Sequence, residues 1–188
     1  WNQFAEKVKM ASRAMVSLGI KEQENIGVFS QNMPECLYTD FGAYATRVVA
    51  IPLYATSSEA QVNYIVQDAS IRFLFVGEQY QYEVARRVQS LCRTLKQIII
   101  FDSNVKKLPG DNNSIYYSDF LKLGDDGKLQ EEVDRRTEAS GNDDLANILY
   151  TSGTTGESKG VMLHHSCFDF GIKAHHGRLK TLGENDVI

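Results

Sequence analysis

Chemistry concentrates in residues 144–163 (DLANILYTSGTTGESKGVML), where an apolar run gives way to closely spaced Gly, Ser, Thr and Lys. Gly153, Gly156 and Gly160 let backbone amides approach an anion, and Thr151, Ser152, Thr154, Thr155 and Ser158 add hydroxyl donors. Lys159 supplies a cation. The set suits a polyphosphate, because hydrogen bonds to a charged group contribute about 1.5–3 kcal/mol each, against about 1 kcal/mol for neutral pairs. A Walker-type loop needs Gly-Lys followed at once by Ser or Thr at the start of a helix. Here Lys159 stands between Ser158 and Gly160 and leads into Val161, Met162 and Leu163, which predicts strand, loop, strand with no helix dipole behind the anion. Composition alone favours a plain polar hairpin joining two buried strands, since Gly, Ser and Thr clusters are common loop material.

Other reactive residue types are less well arranged. His164, His165, His175 and His176 include no pair at the i,i+4 spacing of a helical zinc motif, even with Cys167 and Asp169 nearby. Phe168, Ile172, Leu179 and Leu182 instead predict a buried helix face with solvated or partly packed histidines, and no metal site is expected. Cys36, Cys92 and Cys167 are far apart and lack CxxC pairing, which excludes a disulfide framework or zinc ribbon, fits a reducing cytosol and predicts packing as small apolar groups. The acidic pairs Asp125-Asp126, Glu131-Glu132 and Asp143-Asp144 adjoin polar sequence and are expected on solvated faces.

The elements that must carry the loop follow from hydrophobic period. Phe4, Val8, Ala11, Met15 and Leu18 predict a core-facing helix ended by Gly19. A short apolar strand at 26–29 precedes a helix opened by Pro34, with Leu37, Phe41 and Tyr44 as its expected inner face. A strand at 48–51 leads to a helix with the capping box Ser58/Gln61 and inner residues Val62, Ile65, Val66 and Ala69. A strand at 73–76, a helix through Val84, Val88, Leu91 and Leu95, and a β-branched strand at 98–101 complete the alternation. The expected fold is α/β, with a mainly parallel sheet flanked by helices. Residues 102–142 are rich in Asn, Asp, Gly and Ser and are expected to form a surface excursion, the helix near Leu129 and Val133 having little apolar face. A sub-boundary near 140 is the one division the sequence suggests.

Composition narrows the function classes. In 188 residues, 43% apolar and 23% charged content describes an ordinary globular chain, and 20 basic against 24 acidic residues give no field that attracts nucleic acid. The nine Tyr and nine Phe do not interleave with basic residues as a base-stacking platform would. The longest apolar stretch, 48–55, is interrupted by Pro52 and falls well short of the ~20 residues of a membrane span, leaving only peripheral membrane contact open. The chain starts at Trp1 and stops as an apolar run begins, so it reads as a fragment.

Residues 150–160 (YTSGTTGESKG) closely resemble the phosphate-binding signature of the acyl-adenylate-forming superfamily, and 51–58 (IPLYATSS) with 62–65 (VNYI) look like its long-chain fatty acyl-CoA synthetase branch. The resemblance implies part of the large N-terminal AMP-binding domain of a ligase that activates a fatty acid with ATP to acyl-AMP and passes it to coenzyme A. It assigns phosphate binding to Thr151, Ser152, Gly153, Thr154, Thr155, Gly156 and Lys159, with Lys159 also catalytic, and implies ATP, Mg²⁺ and coenzyme A as cofactors. Ser158 stands where the family usually has Pro, and of the Thr-His-x-Asn pattern after the loop only His165 matches. In the family the magnesium-binding glutamate, the acyl channel and the C-terminal lysine lie further along, so this piece alone is expected to be inactive. The loop is expected to be poorly ordered without nucleotide. A ligase for another carboxylate and a non-catalytic phosphate-binding module are the alternatives.

Overall fold

The computed structural model describes residues 1–151 and 158–178. In chain order the elements are α1 (Asn2–Ser17), β1 (Asn25–Phe29), α2 (Pro34–Ala45), β2 (Val49–Leu53), α3 (Glu59–Asp68), β3 (Phe73–Val76) and α4 (Gln79–Leu91). There follow β4 (Gln97–Ile100), β5 (Ser114–Tyr116), α5 (Tyr117–Lys122), α6 (Gln130–Glu138), β6 (Leu145–Thr151), β7 (Lys159–His164) and α7 (His165–Arg178). The expected α/β architecture is present: one seven-stranded sheet in the order β5-β4-β3-β1-β2-β6-β7, every pair parallel except β6 with β7.

Continuous apolar strands explain this layering, since strands buried on both faces have no polar side to turn outward. All four residues of β3 are buried. One face packs under α3 and α4, with Phe29, Leu53, Val62, Val66, Val76, Tyr82 and Val88 in its core. The other packs under α1, α2 and α5, around Ala14, Met15, Ile26, Ala43, Phe75 and Phe120. Local signals act as read: Gly19 ends α1 at φ +72°, Pro34 opens α2, and Ser58 and Gln61 close a reciprocal capping box on α3.

The fold overturns four expectations. Residues 102–142 are not simply a surface excursion. β5 extends the sheet beside β4, and Tyr117, Phe120 and Leu121 of α5 are buried, with Phe120 5.3 Å from Phe75 ring to ring. Their polar flanks hid this apolar patch, which pays off only against distant aromatics. On α2 the inward residues are the small Thr39, Gly42 and Ala43, while Leu37 and Phe41 are about half exposed. Close approach to α1 selects small groups: a Cβ on Gly42 would stand 3.1 Å from that of Ala11. Finally, α7 has no buried residue among those described; Phe168 and Ile172 are exposed, and Leu179 and Leu182 lie outside the described residues. Leu91, at the end of α4, is likewise exposed. Among the described residues no helix is long and apolar enough to cross a membrane.

Candidate functional site

The site is opened by a proline inside the sheet. Val49 donates to the Glu24 carbonyl, towards β1, so by strand alternation Ala50 and Pro52 face β6. β6 registers on β2 through Ala50 opposite Asn147, and two residues later Pro52 has no N–H to continue that ladder. Beyond that point, at the carboxyl ends of β1, β2 and β6, lies an open cavity of about 550 Å³ whose lining includes Ser30, Asn32, Pro52, Tyr54, Leu149 and Thr151. A smaller space of about 110 Å³ adjoins Ser57, Gln61, Tyr150 and Ser158. Crevices outside the carboxyl ends of the strands are the usual ligand sites of open α/β sheets.

A strand with so short a ladder needs other supports. At its base, Asp144 takes a bidentate pair from Arg47 at 2.8 and 2.9 Å, and Arg47 also meets Glu22. The Arg47 hydrogen bonds hold the Asp144 carboxyl below the usual carboxylate range. Asp144 is therefore a paired, largely buried acid, not the solvated one expected, whereas Asp125 and Asp126 are exposed. On the α2 face, buried Asn147 donates to the Ala50 carbonyl at 3.0 Å and accepts from the Tyr44 hydroxyl at 2.8 Å. On the α3 face, the Tyr150 hydroxyl donates to Asp68 at 2.5 Å.

These supports carry an antiparallel hairpin, as the strand, loop, strand reading predicts. Thr151 stands opposite Lys159 and Tyr150 opposite Gly160. Cross-strand partners share a face, so the Thr151 hydroxyl and the Lys159 ammonium rise together on the side opposite Tyr150. Both are exposed, Thr151 borders the larger cavity, and Lys159 enters no ion pair among the described residues. The Thr151 hydroxyl at the mouth and the Lys159 cation opposite it on the hairpin can together hold oxyanions of a phosphate. Ser152, Gly153, Thr154, Thr155 and Gly156 lie outside the described residues, as does the expectation about loop order.

The remaining sequence candidates are dispersed. His164 Nδ1 lies 2.7 Å from the Asp143 carbonyl, His165 packs edge-to-face on Tyr44, and His175 and His176 are exposed. Cys92 is buried, as expected of a small apolar group; Cys36 is half-buried, while Cys167 is exposed, because α7 presents no buried side. Among the described residues no three His, Cys, Asp or Glu side chains form a metal-holding group. Asp40, which carried no sequence signal, is pushed up to about 6 by burial on α2.

A mostly parallel α/β sheet with a crevice and an antiparallel hairpin at its carboxyl edge defines a protein of the open-sheet α/β type. The chain belongs to the AMP-binding enzyme family, whose match runs over residues 1–188. It is 31% identical over 170 residues to the human long-chain-fatty-acid–CoA ligase ACSBG2, covering 88% of this chain and 24% of that protein. Fatty acyl-CoA synthetase A of Dictyostelium discoideum is 34% identical over 172 residues, with the same coverages. The chain thus spans about a quarter of the length of these curated relatives. In fold it is similar to the anthranilate CoA ligase AuaEII in complex with anthranoyl-AMP, with a TM-score of 0.74 at 18% identity over 92% of this chain and 31% of that one.

Proposed function

We propose that this chain is the phosphate-gripping part of the N-terminal domain of an ATP-dependent, AMP-forming acid–thiol ligase acting on long-chain fatty acids. The observation that carries the reading is the Thr151/Lys159 pair at the mouth of the carboxyl-edge cavity, in a member of the AMP-binding enzyme family. The substrate class follows the relatives, a long-chain-fatty-acid–CoA ligase and a fatty acyl-CoA synthetase.

In this reaction the fatty carboxylate attacks the α-phosphorus of ATP, the bond to pyrophosphate breaks, and the acyl group of acyl-AMP then passes to the thiol of coenzyme A, releasing AMP. Lys159 and Thr151, with the donors of Ser152, Gly153, Thr154, Thr155 and Gly156, hold the β- and γ-phosphates and stabilise the charge that grows on the leaving pyrophosphate. Mg²⁺ would share that phosphate charge; among the described residues no three His, Cys, Asp or Glu side chains come together to hold it, and the family resemblance puts its glutamate further along the chain. The cytoplasm is the compartment that fits ATP, coenzyme A and three unpaired cysteines.

The test is fatty-acid-dependent exchange of labelled pyrophosphate into ATP by a full-length protein carrying this chain, across carboxylates from acetate to long acyl chains. Stimulation chiefly by long chains is expected. Lys159→Ala removes one charge-assisted contact worth about 1.5–3 kcal/mol and should lower kcat/KM for ATP roughly 10- to 100-fold. A folded protein that binds ATP yet exchanges with no carboxylate is a phosphate-binding module instead.

A further inference from the structure

We propose that Tyr150 and Asp68 are positioning residues for the phosphate-binding mouth, a role that rests on the adenylating function above. Tyr150 sits on the face opposite Thr151 and Lys159, with its side chain 8% exposed and its ring edge-on to Tyr64 at 6.4 Å. Its hydroxyl donates to Asp68 Oδ2 at 2.5 Å. Asp68 is the last residue of α3, whose first turn is fixed by the Ser58/Gln61 capping box beside the smaller cavity. The hydroxyl therefore ties the end of β6 to a helix that is itself anchored at the mouth.

The same ring reaches across to β7. An ideal Cβ on Gly160 would lie 3.2 Å from Tyr150 Cζ and 2.8 Å from Ile148 Cγ2, so the space of the missing side chain is taken by these two. Tyr150 is covalently next to Thr151, and Gly160 is covalently next to Lys159. One side chain thus governs both feet of the loop. Past Asn147 the β2 ladder gives out, which leaves the hydroxyl of Tyr150 as the last side-chain hydrogen bond along β6 among the described residues. Burial, and then the Asp68 contact, push the Tyr150 hydroxyl pKa upward, so it stays a donor at neutral pH. Packing alone would be served by Phe; the hydroxyl matters for where the strand end is held.

Asp68 is exposed, so deleting the hydroxyl leaves no buried charge and should barely change stability. Placement of Thr151 and Lys159 suffers instead. A misplacement of ~1 Å costs up to ~10²-fold in rate, and a loosened tether is expected to cost a part of that, roughly tenfold.

The experiment measures ATP–pyrophosphate exchange and thermal stability in the full-length protein for Tyr150→Phe, Asp68→Ala, their combination and Asp68→Asn. Each of the first two should lower kcat/KM for ATP roughly tenfold, leave KM for the fatty acid unchanged and move Tm by no more than about 2 °C. The combination should lose no more than either alone, because one interaction is removed twice. Asp68→Asn keeps an acceptor oxygen and should recover most of the Asp68→Ala loss. Unchanged ATP kinetics in Tyr150→Phe, or losses that add in the combination, overturn the positioning role while the adenylating function stands. A wild-type protein without exchange overturns both.

Discussion

Gly160→Ala offers a measurable consequence of the hairpin's packing. The added methyl would stand 2.8 Å from Ile148 Cγ2, where ordinary contact begins at 3.4 Å, so the two must part by about 0.6 Å. Ile148 is β-branched and its Cγ2 is held by χ1, so it cannot swing aside. Relief must come from β7, which is an edge strand among the described residues, and β7 carries Lys159. Overpacking of this kind costs about 1–3 kcal/mol. The complete domain is larger than this chain and should lose at most about 2–4 °C in Tm per kcal/mol, and the displaced cation should raise KM for ATP severalfold. Thermal denaturation and pyrophosphate exchange in the full-length protein read the two effects. Ile148→Ala removes the opposing methyl, so the double variant should lose at least about 1 kcal/mol less than the sum of the single losses. An unchanged Tm and ATP KM in Gly160→Ala, or strict additivity with Ile148→Ala, would refute the steric argument.

Two further outcomes concern charge. Asp40 has a folded pKa of about 6 against an ordinary 3.8, so the folded chain binds more protons between those values. Stability therefore falls as pH rises through that window and stays lowered above it; Asp40→Asn should stabilise at pH 7.5 by up to about 3 kcal/mol and give almost nothing at pH 3.5, read from denaturant midpoints at the two pH values. Arg47→Ala strands Asp144 and Glu22, whose side chains are 13% and 26% exposed. The expected loss is about 2 kcal/mol, below the ~3–5 kcal/mol of a fully buried pair. Because Asp144 is held below the usual carboxylate range, that contribution is present above about pH 4 and is lost as pH falls further, so wild type and variant should converge in acid.

Much of the scaffold was legible because its signals are local. The buried strands announce themselves as short β-branched runs, Pro34, Gly19 and the Ser58/Gln61 box mark helix ends, and the Val161–Met162–Leu163 run after Lys159 distinguishes a hairpin from a Walker loop. The sequence also carries an expectation about the chemistry, since a phosphate needs donors and a cation, and residues 151–160 contain little else. Periodicity failed on α2, where the close approach of α1 favours Gly42 and Ala43 over the larger Leu37 and Phe41. It also missed α5, whose aromatic residues gain only by meeting Phe75 and Phe101.

What sequence alone determined, then, is the alternation of strands and helices up to β4, the hairpin strands β6 and β7, and the residue types at the mouth. Tertiary structure decided the gap that Pro52 opens between β2 and β6, the facing of Thr151 and Lys159, and the side-chain pins that hold them. Those pins join residues 82, 97 and 103 positions apart: Tyr150 with Asp68, Arg47 with Asp144, and Tyr44 with Asn147. A hydrogen bond between such residues leaves no trace in local spacing, because its partners become neighbours only when the sheet has put their strands and helices side by side.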